Sequence, residues 1–273
     1  MKPASYAWRQ TSLILIGHGS TINLDSCLPT HQHAQALKKR NLFAKVLPAF
    51  WKEHPSFQET LSQIKTKEIY LVPNFIAEGY FTQTIIPQEF NRLNSTYHFQ
   101  LHFCRPVGTH PSMTQALLHR AQILASPPPP KETCLLLVGH GTERHEDSGN
   151  TLYEQVERLK QLNLYQEVQG AFMEQFPFIK DWPHLTSLSN IIVIPFFISN
   201  GLHSYEDIPV LLGLTEKVDT SLLKESIFQK SPYQIKGRKI WYTPAIGTET
   251  YLADVILDLI NEYDKDHPRQ KTK

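Results

Sequence analysis

The tripeptide Gly-His-Gly closes an apolar run twice in this chain, first in "LILIGHGSTINLD" (residues 13–25) and again in "LLLVGHGTERHED" (residues 135–147). The second copy lies 122 positions after the first, and the same offset aligns much else. Asp25-Ser26 falls on Asp147-Ser148, Ala49-Phe50 on Ala171-Phe172, and Pro55 on Pro177. Pro73, Phe75, Ile76 and Gly79 fall on Pro195, Phe197, Ile198 and Gly201, and Ile86-Pro87 on Ile208-Pro209. Apolar matches arise by chance, but Gly, Pro and His matched at a single offset do not. A duplicated domain is the economical reading. The seam is "ASPPPPKET", where Pro127 to Pro130 read as a stiff extended connector. The chain therefore divides into a first half (1–126), a Pro-rich linker (127–132) and a second half (133–273).

Each half reads as alternating strands and helices. In the second, "TCLLLVG", "EVQGAFME", "NIIVIPFFI" and "KIWYTPAIG" are strands. The third is apolar on both faces, as a central parallel strand should be. "SGNTLYEQVERLKQL" opens a helix at Ser148, "SYEDIPVLLGL" starts another, and "ETYLADVILDLINEYDKD" closes the half. The first half follows the same order through "EIYLVPNFI", "YHFQLHFCRPVG" and "PSMTQALLHRAQIL". Such alternation with short connections predicts a parallel four-stranded sheet flanked by helices in each half, an α/β tandem. Gly108 of "PVGT" corresponds to Gly247 of "AIGT", so the offset has grown to 139 and the second half carries 17 extra residues. They are assigned around "KVDTSLLKESIFQKSPYQIKG".

In these sheets ligands bind outside the carboxyl ends of the strands. His18, His140 and His203 fall there, as does Glu174. A Gly-His-Gly turn taken alone is equally a solvated strand end, but the two copies differ. Where the second half has Glu174 and His203, the first has Lys52 and Phe81. Glu206 and Asp207 stand where the first half has Thr84 and Ile85. The second half thus gathers His140, Glu174 and His203 at three successive strand ends, a ligand set suited to a borderline divalent ion such as Co²⁺, Fe²⁺, Ni²⁺ or Zn²⁺. Asp207 reads as the cap of the helix in "DIPVLLG", and Glu206 reads equally as a surface charge.

Other chemistries find no support. Histidine phosphatases need an arginine directly before the histidine, and Gly17 and Gly139 stand there. A hydrolase nucleophile elbow, a Walker loop and a Rossmann glycine fingerprint are all missing from the sequence, so no nucleotide is expected. Lys+Arg 27 against Asp+Glu 26 gives a formal charge of +1, which leaves no global field to recruit nucleic acid or an anionic membrane. Cys27, Cys104 and Cys134 are an odd number without metal-type spacing and suit a reducing cytoplasm. No segment reaches the ~18 apolar residues of a membrane span.

"LLLVGHGT", "GAFMEQFP" and "VIPFFISNGLHSYEDIP" together resemble the sirohydrochlorin chelatases of the CbiX and SirB type, and more distantly CbiK and the ferrochelatases. The resemblance covers both halves, roughly residues 11–126 and 133–265. It implies two flavodoxin-like halves around a central cleft, and ATP-independent insertion of Co²⁺ or Fe²⁺ into a tetrapyrrole, sirohydrochlorin, in cobalamin or siroheme biosynthesis. By the same resemblance His140 and His203 match the paired active-site histidines, and Glu174 matches the acidic metal ligand. His18, Tyr80, Phe81, Thr142 and Arg144 are the expected substrate contacts. Arg144, His145, Lys52 and Arg105 are candidates to meet the carboxylates of the macrocycle. The first half keeps His18 but lacks its partners, so one complete site is expected, in the second half. A ferrochelatase acting on another porphyrin and a non-catalytic tetrapyrrole or metal carrier stay open beside this reading. So does the choice between monomer and homodimer.

Overall fold

The computed structural model describes residues 6–21, 23–141, 146–216 and 226–268. They form two compact units, one of residues 1–112 with 250–273 and the other of residues 113–249.

The first unit is built on a sheet in the order β2-β1-β3-β4, from β1 (Thr11–Gly17), β2 (Lys45–Phe50), β3 (Glu68–Pro73) and β4 (Gln100–Phe103). Every pairing is parallel. All seven residues of β1 are buried, which is why its sequence is apolar on both faces. Three helices connect these strands: α1 (Leu28–Lys39), α2 (Phe57–Ser62) and α3 (Ile86–Tyr97). Ser56 and Glu59 form a capping box at the start of α2, satisfying two main-chain donors that a helix N-terminus leaves over.

The second unit begins with α4 (Met113–Gln122) and carries a sheet in the order β6-β5-β7-β9-β8. Its parallel strands are β5 (Thr133–Gly139), β6 (Glu167–Phe172), β7 (Asn190–Pro195) and β9 (Arg238–Tyr242). Between them lie α5 (Glu146–Gln161), α6 (Trp182–Leu185), α7 (Ile208–Leu212) and α8 (Ser226–Gln229). The edge strand β8 (Tyr233–Ile235) pairs antiparallel with β9. It belongs to the extra segment of this half, so the second sheet has five strands where four were expected. Residues 217–225 of that segment lie outside the described residues.

Strand for strand, β1, β2 and β3 match β5, β6 and β7 at the offset of the sequence repeat. The matched Gly108 and Gly247 now have a reason. A Cβ on Gly108 would stand 1.9 Å from the Ile76 carbonyl oxygen, and one on Gly247 would stand 2.0 Å from that of Ile198. Only glycine fits at either place.

The compact units are drawn differently from the sequence halves, because their last helices are exchanged. Helix α4, from the first half, packs on α5 and β7 of the second unit. Its Thr114 hydroxyl donates to Gln155 Oε1 at 2.8 Å, and Arg120 pairs with the buried Glu249 at 3.2 Å. The last helix, α9 (Leu252–Asp266), belongs to the first unit, against α1. There Asp264 accepts from Trp8 Nε1 at 2.8 Å and from the Tyr70 hydroxyl, and Asp254 pairs with Arg40 at 2.6 Å. The proline seam lies within the second unit. Its Pro130 carbonyl accepts from Gln166 N–H at 3.0 Å, so it is a packed edge as well as a connector. No helix among the described residues is long and apolar enough to cross a membrane.

Candidate active site

In the second unit β5 and β7 are neighbours, although the chain makes β6 between them. That reversal is the switch point at which doubly wound sheets hold ligands. His140 follows β5 directly, and His203 follows β7 on the next connection. The two imidazoles meet edge to face, ring centroids 4.9 Å apart and planes at 76°.

The backbone around His140 is tightly fixed. Gly141 has a φ of +75°, and a Cβ there would stand 2.7 Å from Gln175 Cβ, so the second glycine of the motif is a conformational requirement. The ladder between β5 and β6 continues past the strands, with Glu174 N–H donating to the His140 carbonyl at 3.0 Å. This brings the carboxylate of Glu174 to 3.6 Å from His140 Nδ1. That nitrogen also stands 2.8 Å from the Gly141 carbonyl oxygen, which can only accept, so Nδ1 carries a proton.

His203 opens a single π-turn, His203–Asp207, closed by Ile208 N–H donating to the His203 carbonyl. Continuing the turn would ask the next carbonyl, that of Ser204, to accept from residue 209. Residue 209 is a proline without an N–H. The buried Tyr242 hydroxyl of β9 supplies the donor instead, at 2.6 Å. Burial holds the Tyr242 phenol well above its ordinary pKa, so it stays a donor. Nothing in the sequence pattern of "KIWYT" beyond an aromatic in a strand signalled this.

Asp207 was expected to cap α7. It makes no side-chain capping bond, and its φ of −67° and ψ of −50° are helical, not the extended values a capping residue adopts. Its Oδ2 lies 2.6 Å from His203 Nδ1. The helical run has already started in the π-turn, which leaves this side chain inside it and free to turn to the histidine one turn before. Met173, Glu174, His203, Glu206, Asp207, Val210 and Leu211 line a cavity of about 610 Å³. Three carboxylates beside an imidazole favour a cation there.

The sequence candidates thus divide. His140, Glu174 and His203 are brought together in the second unit. His18, Lys52, Tyr80 and Phe81 belong to the first, at the equivalent strand ends. There His18 meets Phe81 edge to face, with centroids 5.1 Å apart, and Trp51 and Phe75 pack on the same Phe81 ring. Tyr80 is 65% exposed. Arg105 is paired with Glu78 at 2.9 Å. Thr142, Arg144 and His145 lie outside the described residues.

Two facing imidazoles thus stand at the switch point of one α/β half, and the other half repeats the arrangement with Phe81 in place of the second ring, a tandem fold of the chelatase-like class. The CbiX family model matches residues 12–124 and again 134–263, and the chain belongs to the CbiX family. It is 36% identical over 269 residues to a probable sirohydrochlorin cobaltochelatase of Halobacterium salinarum, covering 90% of this chain and 89% of that one. Among solved structures, SirB from Bacillus subtilis with Fe³⁺ superposes with a TM-score of 0.70 at 15% identity, over 94% of this chain and 98% of that one. The multi-domain protein DR2241 of Deinococcus radiodurans gives a TM-score of 0.72 at 23% identity over 91% of this chain, which spans 54% of that protein. These two likenesses concern the fold.

Proposed function

We propose that the chain inserts a divalent metal, Co²⁺ or Fe²⁺, into sirohydrochlorin without ATP, and that His140, Glu174 and His203 carry the reaction. The observation that supports this best is the pair of facing imidazoles, each with Nδ1 committed to a fixed acceptor. A ring whose Nδ1–H is so used has, in its neutral form, its lone pair on Nε2.

Metal insertion needs two things of such a pair. The incoming ion must exchange waters for protein ligands in stages, and the inner N–H protons of the macrocycle must leave as it enters. One Nε2 holds the ion while the other accepts a proton, a task suited to imidazole, which titrates near neutral pH. Glu174, 61% exposed at its side chain, is placed to swing from His140 to the ion and offset its charge. His18, Tyr80, Phe81, Thr142 and Arg144 are read as contacts for the tetrapyrrole. Co²⁺ is the metal named in the Halobacterium relative, and Fe³⁺ was bound to the Bacillus one. Ni²⁺ and Zn²⁺ suit the same donors. No nucleotide takes part in this reading. The setting is read as a reducing cytoplasm.

The test is spectroscopic. Purified protein mixed with sirohydrochlorin and Co²⁺, Fe²⁺ or Ni²⁺ in parallel should convert the free-base absorption spectrum to that of a metallated ring. Unchanged spectra with all three metals, under conditions where the tetrapyrrole binds, would point to a carrier. Turnover only with a less carboxylated porphyrin would point to a ferrochelatase.

A further inference from the structure

We propose that Asp207 is the positioning residue of the metal-insertion site: it accepts the Nδ1–H of His203 and so holds the Nε2 lone pair toward the incoming ion. This rests on the functional reading given above.

The geometry carries the first part. Asp207 Oδ2 stands 2.6 Å from His203 Nδ1, at the length of a charge-assisted hydrogen bond. An ionised carboxylate only accepts, so Nδ1 must donate, and a neutral ring then has its lone pair on Nε2. The side chain of a free neutral histidine carries its proton mainly on Nε2, so the brace selects the minor tautomer. The bond also fixes the ring plane, as outer carboxylates do for metal-binding histidines. The pair spans a π-turn, whose first and last residues are His203 and Asp207, and such turns occur disproportionately at functional sites.

The internal repeat carries the second part. The first unit has the same π-turn, Phe81–Ile85. Phe81 replaces the histidine there, and Ile85 replaces the aspartate. The backbone brace of the other histidine is kept in both units, His18 Nδ1 standing 3.0 Å from the Gly19 carbonyl as His140 does from Gly141 at 2.8 Å. The turn folds without the carboxylate, and the carboxylate is present only where there is a histidine to hold. A role in helix capping would not follow the histidine in this way.

The experiment uses the full chain with ¹⁵N-labelled imidazoles, read by two-dimensional NMR at about pH 8, with His203→Ala identifying the signal. His203 should show a protonated Nδ1 and a bare Nε2. In Asp207→Ala the proton should move to Nε2, and the KM for Co²⁺ should rise about 10–100-fold while the KM for the tetrapyrrole stays within about twofold. Asp207→Asn keeps an acceptor oxygen and should hold the native tautomer and restore most of the loss. A native His203 protonated on Nε2, or a tautomer indifferent to Asp207→Ala, would overturn the proposal. So would an Asp207→Asn variant as impaired as Asp207→Ala with the tautomer intact, since Asp207 would then be a ligand. Wild-type protein that inserts no metal, yet whose tautomer answers to Asp207, would retire the functional reading and keep the brace.

Discussion

The two units present a ring pair at the same place, one made of two imidazoles and one of an imidazole and a phenyl ring. In the second, His140 and His203 meet at 4.9 Å and 76°. In the first, His18 and Phe81 meet at 5.1 Å and 62°. Packing geometry has thus been kept while chemistry was lost. The losses are concerted: Lys52 stands for Glu174, Phe81 for His203, Ile85 for Asp207 and Phe103 for Tyr242. A fold tolerates exchange of His for Phe at a strand end because both fill a similar volume, whereas a metal site does not, because it needs lone pairs. Position in the fold locates a site, and only the donor atoms give it a reaction.

The largest difference should come from the histidines. His140→Ala and His203→Ala should each lower the rate of metal insertion by on the order of 10²-fold or more, and His18→Ala by far less. Steady-state assays of the three variants decide this, and equal losses from His18→Ala and His140→Ala would break the contrast between the units. Next is the carboxylate. Glu174→Gln keeps the shape and removes the charge, and should weaken Co²⁺ binding by about tenfold while Lys52→Gln leaves it unmoved. Calorimetry showing equal Co²⁺ affinities in all three proteins would remove Glu174 from the ligand set.

A smaller effect concerns the π-turn. Tyr242→Phe makes β9 resemble the first unit, where Phe103 offers no hydroxyl, and leaves the Ser204 carbonyl without its donor. Chemical denaturation should show a loss of about 1–3 kcal/mol. No loss would mean that the second turn needs the hydroxyl no more than the first does.

The smallest effect lies at Cys27, whose counterpart is Gly149. Burial, then the hydrogen bond to Glu53 and its charge, push this thiol from 9.0 to about 11. The sign is that of a raised acid. The thiol costs the folded chain nothing below pH 9, and stability falls as pH rises from there toward 11. Since the thiolate is the nucleophile, alkylation of Cys27 should be slow at pH 8 and rise steeply only in alkali. Glu53→Gln should move that rise to lower pH, and a profile unchanged by the substitution would exclude Glu53 as a cause.

Much of this was legible in the sequence, for identifiable reasons. Buried parallel strands need apolar runs on both faces, so "LILIG" and "LLLVG" declared themselves. Glycines that permit no Cβ, Gly108 and Gly247 among them, let the two copies be matched again after the offset had grown from 122 to 139. The grouping of His140, Glu174 and His203 was visible because the first copy lacks the counterparts of two of them. The exchange of α4 and α9 was not legible, because an amphipathic helix advertises an apolar face and carries no address for the sheet that covers it. Asp207 was misread because an aspartate before Ile-Pro looks like a cap, and only the preceding π-turn shows the helix to be already under way. Tyr242 gave no signal, since its hydroxyl answers a carbonyl left over by a proline on another element.

The exchange also sets an order of events during synthesis. Residues 113–249 are contiguous, so the second unit can fold as soon as they have left the ribosome. The first unit has its whole sheet made much earlier but lacks α9, whose Leu252, Val255, Ile256, Leu259 and Ile260 are buried in the finished fold. Until the last residues emerge, the face that α9 covers stands open, with Tyr70 and Trp8 short of their Asp264 acceptor. The half of the molecule translated first is therefore the half completed last, and a nascent chain stalled before residue 250 should display a protease-resistant second unit beside a first unit that is still readily cut.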